Sequence, residues 1–449
     1  MRSGYVVSGL SRTVVVAFAF YNVAVAPVWS QEIPVVRLTI EEAQARALAS
    51  SHRLAEARAR ETAAKAGIDV RASADRPTVA AVGGYTRTNH VLEFSVPSPT
   101  GAPRVLYPDV PDNYHSRLDL QWPIYNGGQA NALERAARAE ADAAGAEVGV
   151  AQADLRLEVA RAFWAVVTGK ASVEVLEEGI KRSQAHVADV RQRFDAGLVP
   201  PNEIASAEAQ ESRSRMLAIE ARNQRDGAVA ELARLVGLDP GQVAEPAATL
   251  DVPSTAATTV DPLVAEARTS RQERQALERR VEAANQTRLA AAAARLPSIA
   301  IAGGVDYARP NPRIFPRADR WDDSWDAGIN VRWSLWDGGR TAANVAQAAG
   351  GAEAARQRLA EFDSVLSVEV RQRALDVESG RAAIAAATDA VRAATEARRV
   401  VAERYRAGVI PQIEVLDAEF ALLQAELDRT RALATLRLSE ARLARAIGR

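Results

Sequence analysis

The residues of this chain that could perform chemistry do not form a catalytic arrangement. None of its 449 residues is cysteine, which excludes disulfide bonds and thiolate metal sites. The histidines are scattered, and none has the H-x-x-x-H or acid-containing spacing of a metal site. We expect them to be isolated surface residues: His52, His90, His115 and His186. With no nucleophile–base pair either, the sequence predicts a protein that is not an enzyme and holds no cofactor or metal.

Two carboxylates, Glu414 and Asp417, follow a turn that contains glycine and proline, and they stand at the start of a predicted helix. Carboxylates attract cations and bind divalent ions when symmetry gathers several copies around one axis. Acidic residues are also favoured at helix starts, because they interact with the positive end of the helix dipole. The residue types therefore allow either a cation-attracting ring or a solvated helix start.

The composition narrows the class of protein. A net charge of -1 with 25% charged residues provides no basic surface for nucleic acid. Residues 1–30 predict a signal peptide, because Arg2 and Arg12 accompany an apolar run and small residues at Ala26 or Ser30 offer a cleavage site. No later stretch is long and apolar enough for a transmembrane helix, so an exported chain could meet a membrane only through strands.

Two related stretches, 118–128 and 329–339, organise the chain. Each alternates apolar and polar side chains, which predicts a strand with one apolar face. Each ends in a glycine pair that leads into a long helix, and we interpret these pairs as strand–helix junctions because phosphate-loop spacings are absent: Gly127, Gly128, Gly338 and Gly339. Tryptophans near the strand ends predict aromatic anchors at a membrane interface, or alternatively a soluble core: Trp122, Trp333 and Trp336.

Most of the chain is a tandem repeat, in which Trp122 recurs as Trp333 and Gly128 as Gly339. The predicted first repeat is 31–240, with strands at about 78–87 and 117–125, a long helix at 129–194 and a returning helix at 202–236. A linker is predicted at 241–262. The predicted second repeat is 263–449, with strands at about 298–307 and 328–336, a long helix at 340–405 and a returning helix at 412–447. Residues 38–74 are predicted to be helical, and the proline-rich residues 88–116 to form a loop.

Four strands are too few to close a membrane barrel, which needs about eight. Several chains should therefore complete one barrel together, and the long helices should pack against those of neighbouring subunits. The predicted architecture is a strand barrel continued by a long helical tube.

With these features, the chain resembles the TolC-like outer-membrane efflux proteins, or outer-membrane factors. The resemblance rests on the two strand–helix junctions, 122–128 and 333–339, and on two helix-turn segments, 194–203 and 405–417. It implies a mainly α fold with a membrane β-barrel portion, in which a homotrimer forms a 12-stranded barrel continued by a periplasmic α-helical barrel. It also implies a Gram-negative outer membrane and its lipid, a periplasmic adaptor, and an inner-membrane transporter of the RND or ABC type.

The resemblance assigns roles to residues of the periplasmic tip. The turns of the two hairpins would dock the adaptor: Gly197, Leu198, Val199, Gly408, Val409 and Ile410. Glu414 and Asp417 would line the narrowest point, and Tyr405 would help to hold the tip shut. An arginine beside the turn in the best-known member is replaced here by Ile410.

The sequence thus predicts a passive exit duct for efflux or type I secretion. One alternative is a periplasmic adaptor, although adaptors have one helical hairpin whereas this chain has two full helix sets. The other is an exported coiled-coil scaffold, which would not explain the alternating strands that carry tryptophan.

Overall fold

The computed structural model describes residues 35–99, 101–239, 241–250 and 259–449. The predicted signal peptide at 1–30 lies outside these residues. Among the described helices, none has the length and apolar character needed to cross a membrane. The helices are α1 (Ile40–Ser50), α2 (His52–Ala72), α3 (Gln129–Asp195), α4 (Pro201–Leu235), α5 (Val260–Ser270), α6 (Gln272–Ala293), α7 (Arg340–Arg406) and α8 (Gln412–Ala446).

The strands form three sheets. They are β1 (Val35–Leu38), β2 (Thr78–Arg87), β3 (Phe94–Val96), β4 (Arg104–Tyr107), β5 (Asp112–Tyr125), β6 (Val243–Pro246), β7 (Ser298–Arg309) and β8 (Asp322–Arg332). The main sheet is antiparallel with the order β2-β5-β7-β8, so β2 and β8 are its edges. The other two sheets are a parallel pair, β1-β6, and an antiparallel pair, β3-β4.

The main sheet has two chemically different faces. Cross-strand partners Leu118 and Val305, and Ile301 and Ile329, place apolar side chains on one face, where each strand contributes alternate residues. On the other face the Arg117 guanidinium lies 2.6 Å from the Asp119 carboxylate and 2.9 Å from that of Asp326, and it also contacts Asp306. One face is therefore suited to an apolar environment and the other to water and ions.

The helices continue the order of the strands. Next to the sheet, α2, α3, α6 and α7 pack side by side in that order, which is the order of the strands that each helix adjoins in sequence. Further along, α4 and α8 replace α2 and α6, so the order becomes α4-α3-α8-α7. The 67-residue helices α3 and α7 run the whole distance, about 100 Å at 1.5 Å per residue. The result is an open layer with α7 and β8 at one edge.

The main hydrophobic core lies near the middle of α3. Phe163 and Val159 of α3 are fully buried against Leu232 of α4, Ala47 of α1 and Ala244 of β6. The short β1-β6 sheet therefore joins the start of the first repeat to the residues that follow α4. Between this core and the main sheet, alanine dominates the buried positions of α3, from Ala130 to Ala143, which allows close packing between helices.

The structure differs from the sequence prediction in four places. The helix predicted over 38–74 is broken at Ser51, whose extended backbone and side chain cap α2; the second repeat has the equivalent break at Arg271, between α5 and α6. The predicted loop 88–116 contains the β3-β4 hairpin and the start of β5, and the predicted linker contains β6. Finally, β8 ends at Arg332, because its partner Ser298 follows Pro297, which has no N–H for further pairing.

Candidate functional site

The two hairpin turns between α3 and α4 and between α7 and α8 have the same local geometry. Gly197 and Gly408 each have φ of 72°, a left-handed conformation that favours glycine. The next amide in each turn bonds back to the helix, from Leu198 N to Arg193 O at 2.9 Å and from Val409 N to Arg404 O at 3.0 Å. Leu198 and Val409 are largely exposed. Each turn therefore presents an apolar side chain at the far end of the molecule.

Tyr405, in the last turn of α7, is buried by the first hairpin. Only 5% of Tyr405 is exposed, whereas Phe194 at the corresponding position of α3 is 40% exposed. The Tyr405 hydroxyl donates a 2.9 Å hydrogen bond to the Glu203 carboxylate of α4. Burial and this bond to a carboxylate raise the pKa of Tyr405 to about 12, so the phenol stays protonated and keeps its donor.

Arg193 of α3 holds Tyr405 from a second side. Its guanidinium lies 4.5 Å from the centre of the Tyr405 ring, a cation–π distance. It also donates a 3.2 Å hydrogen bond to the Tyr405 carbonyl and pairs with Asp189 at 3.1 Å. Arg193 therefore connects the end of the first long helix to the end of the second.

Gln412 and His186 complete this contact between hairpins. The Gln412 side-chain amide, at the start of α8, lies 3.0 Å from the Glu203 carbonyl and 3.3 Å from His186 Nε2. His186 and Gln412 are both buried, and the His186 ring centre lies 5.9 Å from that of Tyr405. We name the five residues His186, Arg193, Glu203, Tyr405 and Gln412 the tip cluster.

The structure brings some of the predicted site residues together and leaves others apart. Tyr405 is in the tip cluster, whereas Glu414 and Asp417 are exposed on α8. The expectation that His186 is a surface residue was wrong, because α7 and α8 cover it with Tyr405 and Gln412. The sequence prediction also missed the contact roles of Arg193 and Gln412. The replacement of Phe194 by Tyr405 between the repeats was the one available signal, since it adds a hydroxyl that needs a partner.

The predicted junction residues lie between the sheet and the long helices. Gly128 and Gly339 have left-handed backbones at the N-caps of α3 and α7. Trp122 lies within β5, and Trp333 follows β8 and donates from its indole to the Arg295 carbonyl at 3.1 Å. Trp336 is exposed between β8 and α7. The tryptophans therefore cluster at the end of the sheet from which the helices leave.

Further along α8, the second hairpin contains a buried carboxyl group. One oxygen of Glu419 is shielded from solvent and makes no hydrogen bond to any residue that the structure describes. Burial raises the pKa of Glu419 to about 7, against the opposing charges of Arg398 and Arg182. Arg182 itself bridges to Glu426 at 2.7 Å and so ties α3 to α8. In the first repeat, Glu208 at the corresponding position pairs with Arg191 at 2.5 Å.

The described residues contain no group of three or more acidic or histidine side chains placed to hold a metal ion. The tip cluster also lacks a nucleophile activated by a base. Its chemistry is that of a reversible contact, in which hydrogen bonds and a cation–π pair hold two helical hairpins together.

Comparison with known proteins places the chain in a family. The family model described as outer membrane efflux protein matches residues 44–238 and 263–449. A curated relative, protein CyaE of Bordetella pertussis, is 28% identical over 338 residues, which cover 71% of this chain and 69% of that protein.

Solved structures share the fold over nearly the whole chain. The outer-membrane channel OprN is 21% identical, covers 91% of this chain and 89% of its own, and has a TM-score of 0.76. The CmeC outer membrane channel of Campylobacter jejuni is 15% identical with coverages of 91% and 85% and a TM-score of 0.76. The open state of the MtrE outer membrane channel of Neisseria gonorrhoeae is 22% identical with coverages of 91% and 88% and a TM-score of 0.73. The chain belongs to the outer membrane efflux protein family, whose members are channels and not enzymes.

Proposed function

We propose that this chain forms the exit duct of a tripartite efflux or type I secretion assembly, as a homotrimer in the outer membrane of a Gram-negative bacterium. The observation that carries this proposal is the open layer with two unpaired edges. At the sheet its edge strands are β2 and β8, and at the far end its outer helices are α4 and α7. Edge strands present unpaired backbone groups and need a partner.

Closure by copies of the same chain would provide partners both for the edge strands of the sheet and for the outer helices. Pairing β8 of one chain with β2 of the next would give a 12-stranded barrel whose apolar face meets lipid and whose Arg117-containing face meets water. The same rotation would bring α7 of one chain against α4 of the next. Large apolar side chains of α4 are exposed and would be covered by that contact: Met216 and Ile219.

The far end of the helical tube would be a periplasmic gate. The tip cluster would hold the two hairpins of each chain together, and Tyr405 would act as the latch because its hydroxyl reaches Glu203 across the hairpins. Exposed Glu414 and Asp417, repeated around the trimer axis, would attract cations at the constriction. The family relationship supports a gate at this end, and the open state of MtrE gives a relative in which such a channel is open.

The partners would meet the duct at the same end. We propose that the exposed turn residues dock a periplasmic adaptor, which connects the duct to an inner-membrane transporter of the RND or ABC type: Gly197, Leu198, Val199, Gly408, Val409 and Ile410. The duct would be passive, with energy supplied by the transporter. Trp122, Trp333 and Trp336 would anchor the barrel at the periplasmic membrane surface.

Single-channel recording in a planar bilayer tests the duct and its gate together. Detergent-extracted wild-type protein should show a small conductance that prefers cations and is blocked by divalent ions. The double variant Glu414→Ala/Asp417→Ala should lose the cation preference and the block, because the carboxylates at the constriction are removed. Asp261→Ala, which removes an exposed acid on α5 far from the tip, is the matched control and should behave as wild type.

Two outcomes would count against different parts of the proposal. Wild-type conductance that the double variant leaves unchanged would remove Glu414 and Asp417 from the constriction while keeping the duct. A protein that stays monomeric in detergent and forms no channel would overturn the duct itself.

A further inference from the structure

The tip cluster contains a buried histidine whose surroundings come from every helix of the two hairpins. His186 lies on α3, about 14 Å along the helix axis from its last residue, Asp195, at 1.5 Å per residue. It faces Glu203 of α4, Tyr405 of α7 and Gln412 of α8. The described chain therefore buries an imidazole at the place where its two repeats meet near the tip.

The hydrogen bonds at this position require a neutral imidazole. The same Gln412 nitrogen lies 3.0 Å from the Glu203 carbonyl and 3.3 Å from His186 Nε2. A reversed amide would place its oxygen against the Glu203 carbonyl, which also only accepts hydrogen bonds. The nitrogen therefore faces both groups as a donor, and His186 Nε2 must accept. An imidazolium has hydrogens on both nitrogens and cannot accept.

The charges around His186 do not compensate for the hydrogen bond that protonation would remove. Arg193, two turns further along α3, opposes a positive charge, whereas Asp189 on the same helix and Glu203 on α4 favour one. The Glu203 carboxylate already accepts from Tyr405, and Asp189 already pairs with Arg193. Tyr405 of α7 and Gln412 of α8 present no negative charge to the imidazole. Burial is the largest influence, and it lowers the pKa of His186.

We propose that His186 makes the contact between the two hairpins sensitive to acid: a proton on Nε2 turns the acceptor into a donor that faces the Gln412 amide, and the hairpins separate. As a means of opening a periplasmic gate, this rests on the function proposed above. The contact itself is a property of one chain, and it can be measured without assuming that the protein conducts.

The direction of the effect follows from linkage. The pKa of His186 is lower in the packed hairpins than the ordinary value of 6.5 that a separated, solvated imidazole would have. At a pH above 6.5 the imidazole is neutral in both states, and the contact has its full stability. As the pH falls below 6.5, the separated state takes up a proton first, and the equilibrium moves towards separation. The device is therefore closed at neutral pH and released in mild acid.

The absence of cysteine from the chain allows a direct measurement. Spin labels on Leu198→Cys and Val409→Cys, which we name the tip-label pair, report the distance between the two turns. Labelled chains are diluted into an excess of unlabelled chain so that distances within one chain dominate. Every sample also carries Glu419→Gln, because Glu419 titrates in the same range. The population with separated turns should rise severalfold from about pH 7.5 to about pH 5.5.

Two variants and one control test whether His186 is responsible. In His186→Gln, an amide oxygen can accept from Gln412 at every pH, so the turns should stay together in acid. In Gln412→Glu, the carboxylate loses the hydrogen bond to the Glu203 carbonyl but can accept from an imidazolium, so acid should no longer separate the turns. His52→Gln removes an exposed histidine of α2 and should keep the wild-type response.

The outcomes separate this proposal from the proposed function. A wild-type acid response in His186→Gln or in Gln412→Glu, with folding checked by circular dichroism, would overturn the role of His186, as would wild-type turns that ignore pH. A response that depends on His186 in a protein without bilayer conductance would keep the acid-sensitive contact and reject the duct. Conductance without a pH-dependent distance would keep the duct and reject the acid-sensitive contact.

Discussion

The contact between the two hairpins of one chain differs from the contact that the same repeats would make between chains. Within the chain, the first repeat supplies His186 and Glu203, and the second repeat supplies Tyr405 and Gln412. In the contact between neighbouring chains, each of these residues would be replaced by its counterpart from the other repeat. In the same order, the counterparts are Ala397, Glu414, Phe194 and Pro201. The carboxylate is kept in the exchanged set, but the phenol hydroxyl, the imidazole and the amide are all lost.

The duplication has therefore produced two unequal contacts from one ancestral arrangement. In the trimer that we propose, hydrogen-bonded contacts within chains would alternate with contacts between chains that lack these bonds. The second-repeat carboxylate Glu414 would be free to face the channel because Phe194 has no hydroxyl to offer it. An acid is also present at Asp417, where the first repeat has Ser206. The latch and the acidic ring are thus two outcomes of the same duplicated position.

The largest expected effect on the contact between the two hairpins of one chain comes from removing its arginine. Arg193→Ala deletes the cation–π contact with the Tyr405 ring and the hydrogen bond to its carbonyl. Together these are worth about 2 kcal/mol, which would raise the ratio of separated to packed turns by about thirtyfold. The tip-label pair at neutral pH measures this ratio. Arg404→Ala, which removes the exposed counterpart of the second repeat, is the control; an equal effect of both substitutions would mean that the two contacts do not differ.

Intermediate effects are expected from Tyr405→Phe and Phe194→Tyr, which move the hydroxyl from one repeat to the other. The first should loosen the contact within the chain, and the second should tighten the contact between chains. Tyr405→Phe removes the donor to Glu203 at a cost of about 1 kcal/mol, so the separated population should rise about fivefold. Phe194→Tyr adds a hydroxyl where, in the trimer, Glu414 of the next chain could accept it, so bilayer conductance should fall. The two substitutions are measured side by side in the bilayer. Conductance that changes in the same direction for both would contradict the assignment of one latched and one unlatched contact.

The smallest expected effect is a change in Tm, and it compares Glu419 of the second hairpin with Glu208 of the first, both away from the tip. Ionised Glu419 is disfavoured in the folded chain, so as the pH rises from the ordinary carboxyl value of 4.5 through about 7 this group lowers stability. Glu419→Gln should raise Tm by about 2 °C at about pH 8 and by less at about pH 5. Glu208→Gln, in the exposed pair with Arg191, should change Tm by a similar small amount at both pH values. A Glu419→Gln gain that is equal at both pH values would show that its carboxyl is not buried in solution.

Local pattern was enough to predict much of the backbone. The alternation around Leu118 and Ile329 corresponds to strands of one sheet, and the long helices begin directly after the glycine pairs. Pattern was not enough to predict the end of β8, because the apolar alternation continues to Leu335 while the partner strand begins only at Ser298. It also missed β6, whose four residues form a strand only by pairing with β1, more than two hundred positions away.

The tandem repeat could be read from residues that recur in register, such as Trp122 and Trp333. The periodicity of the helices and strands and the glycine turns could be read from side chains a few residues apart. Which faces of the two repeats meet became visible only in the folded chain. Tyr405 contacts Glu203, and Gln412 contacts His186, because α3 packs against α8. That packing depends on the summed fit of whole helix surfaces, which no local spacing encodes. The burial that makes His186 and Tyr405 chemically distinctive is therefore a property of the fold.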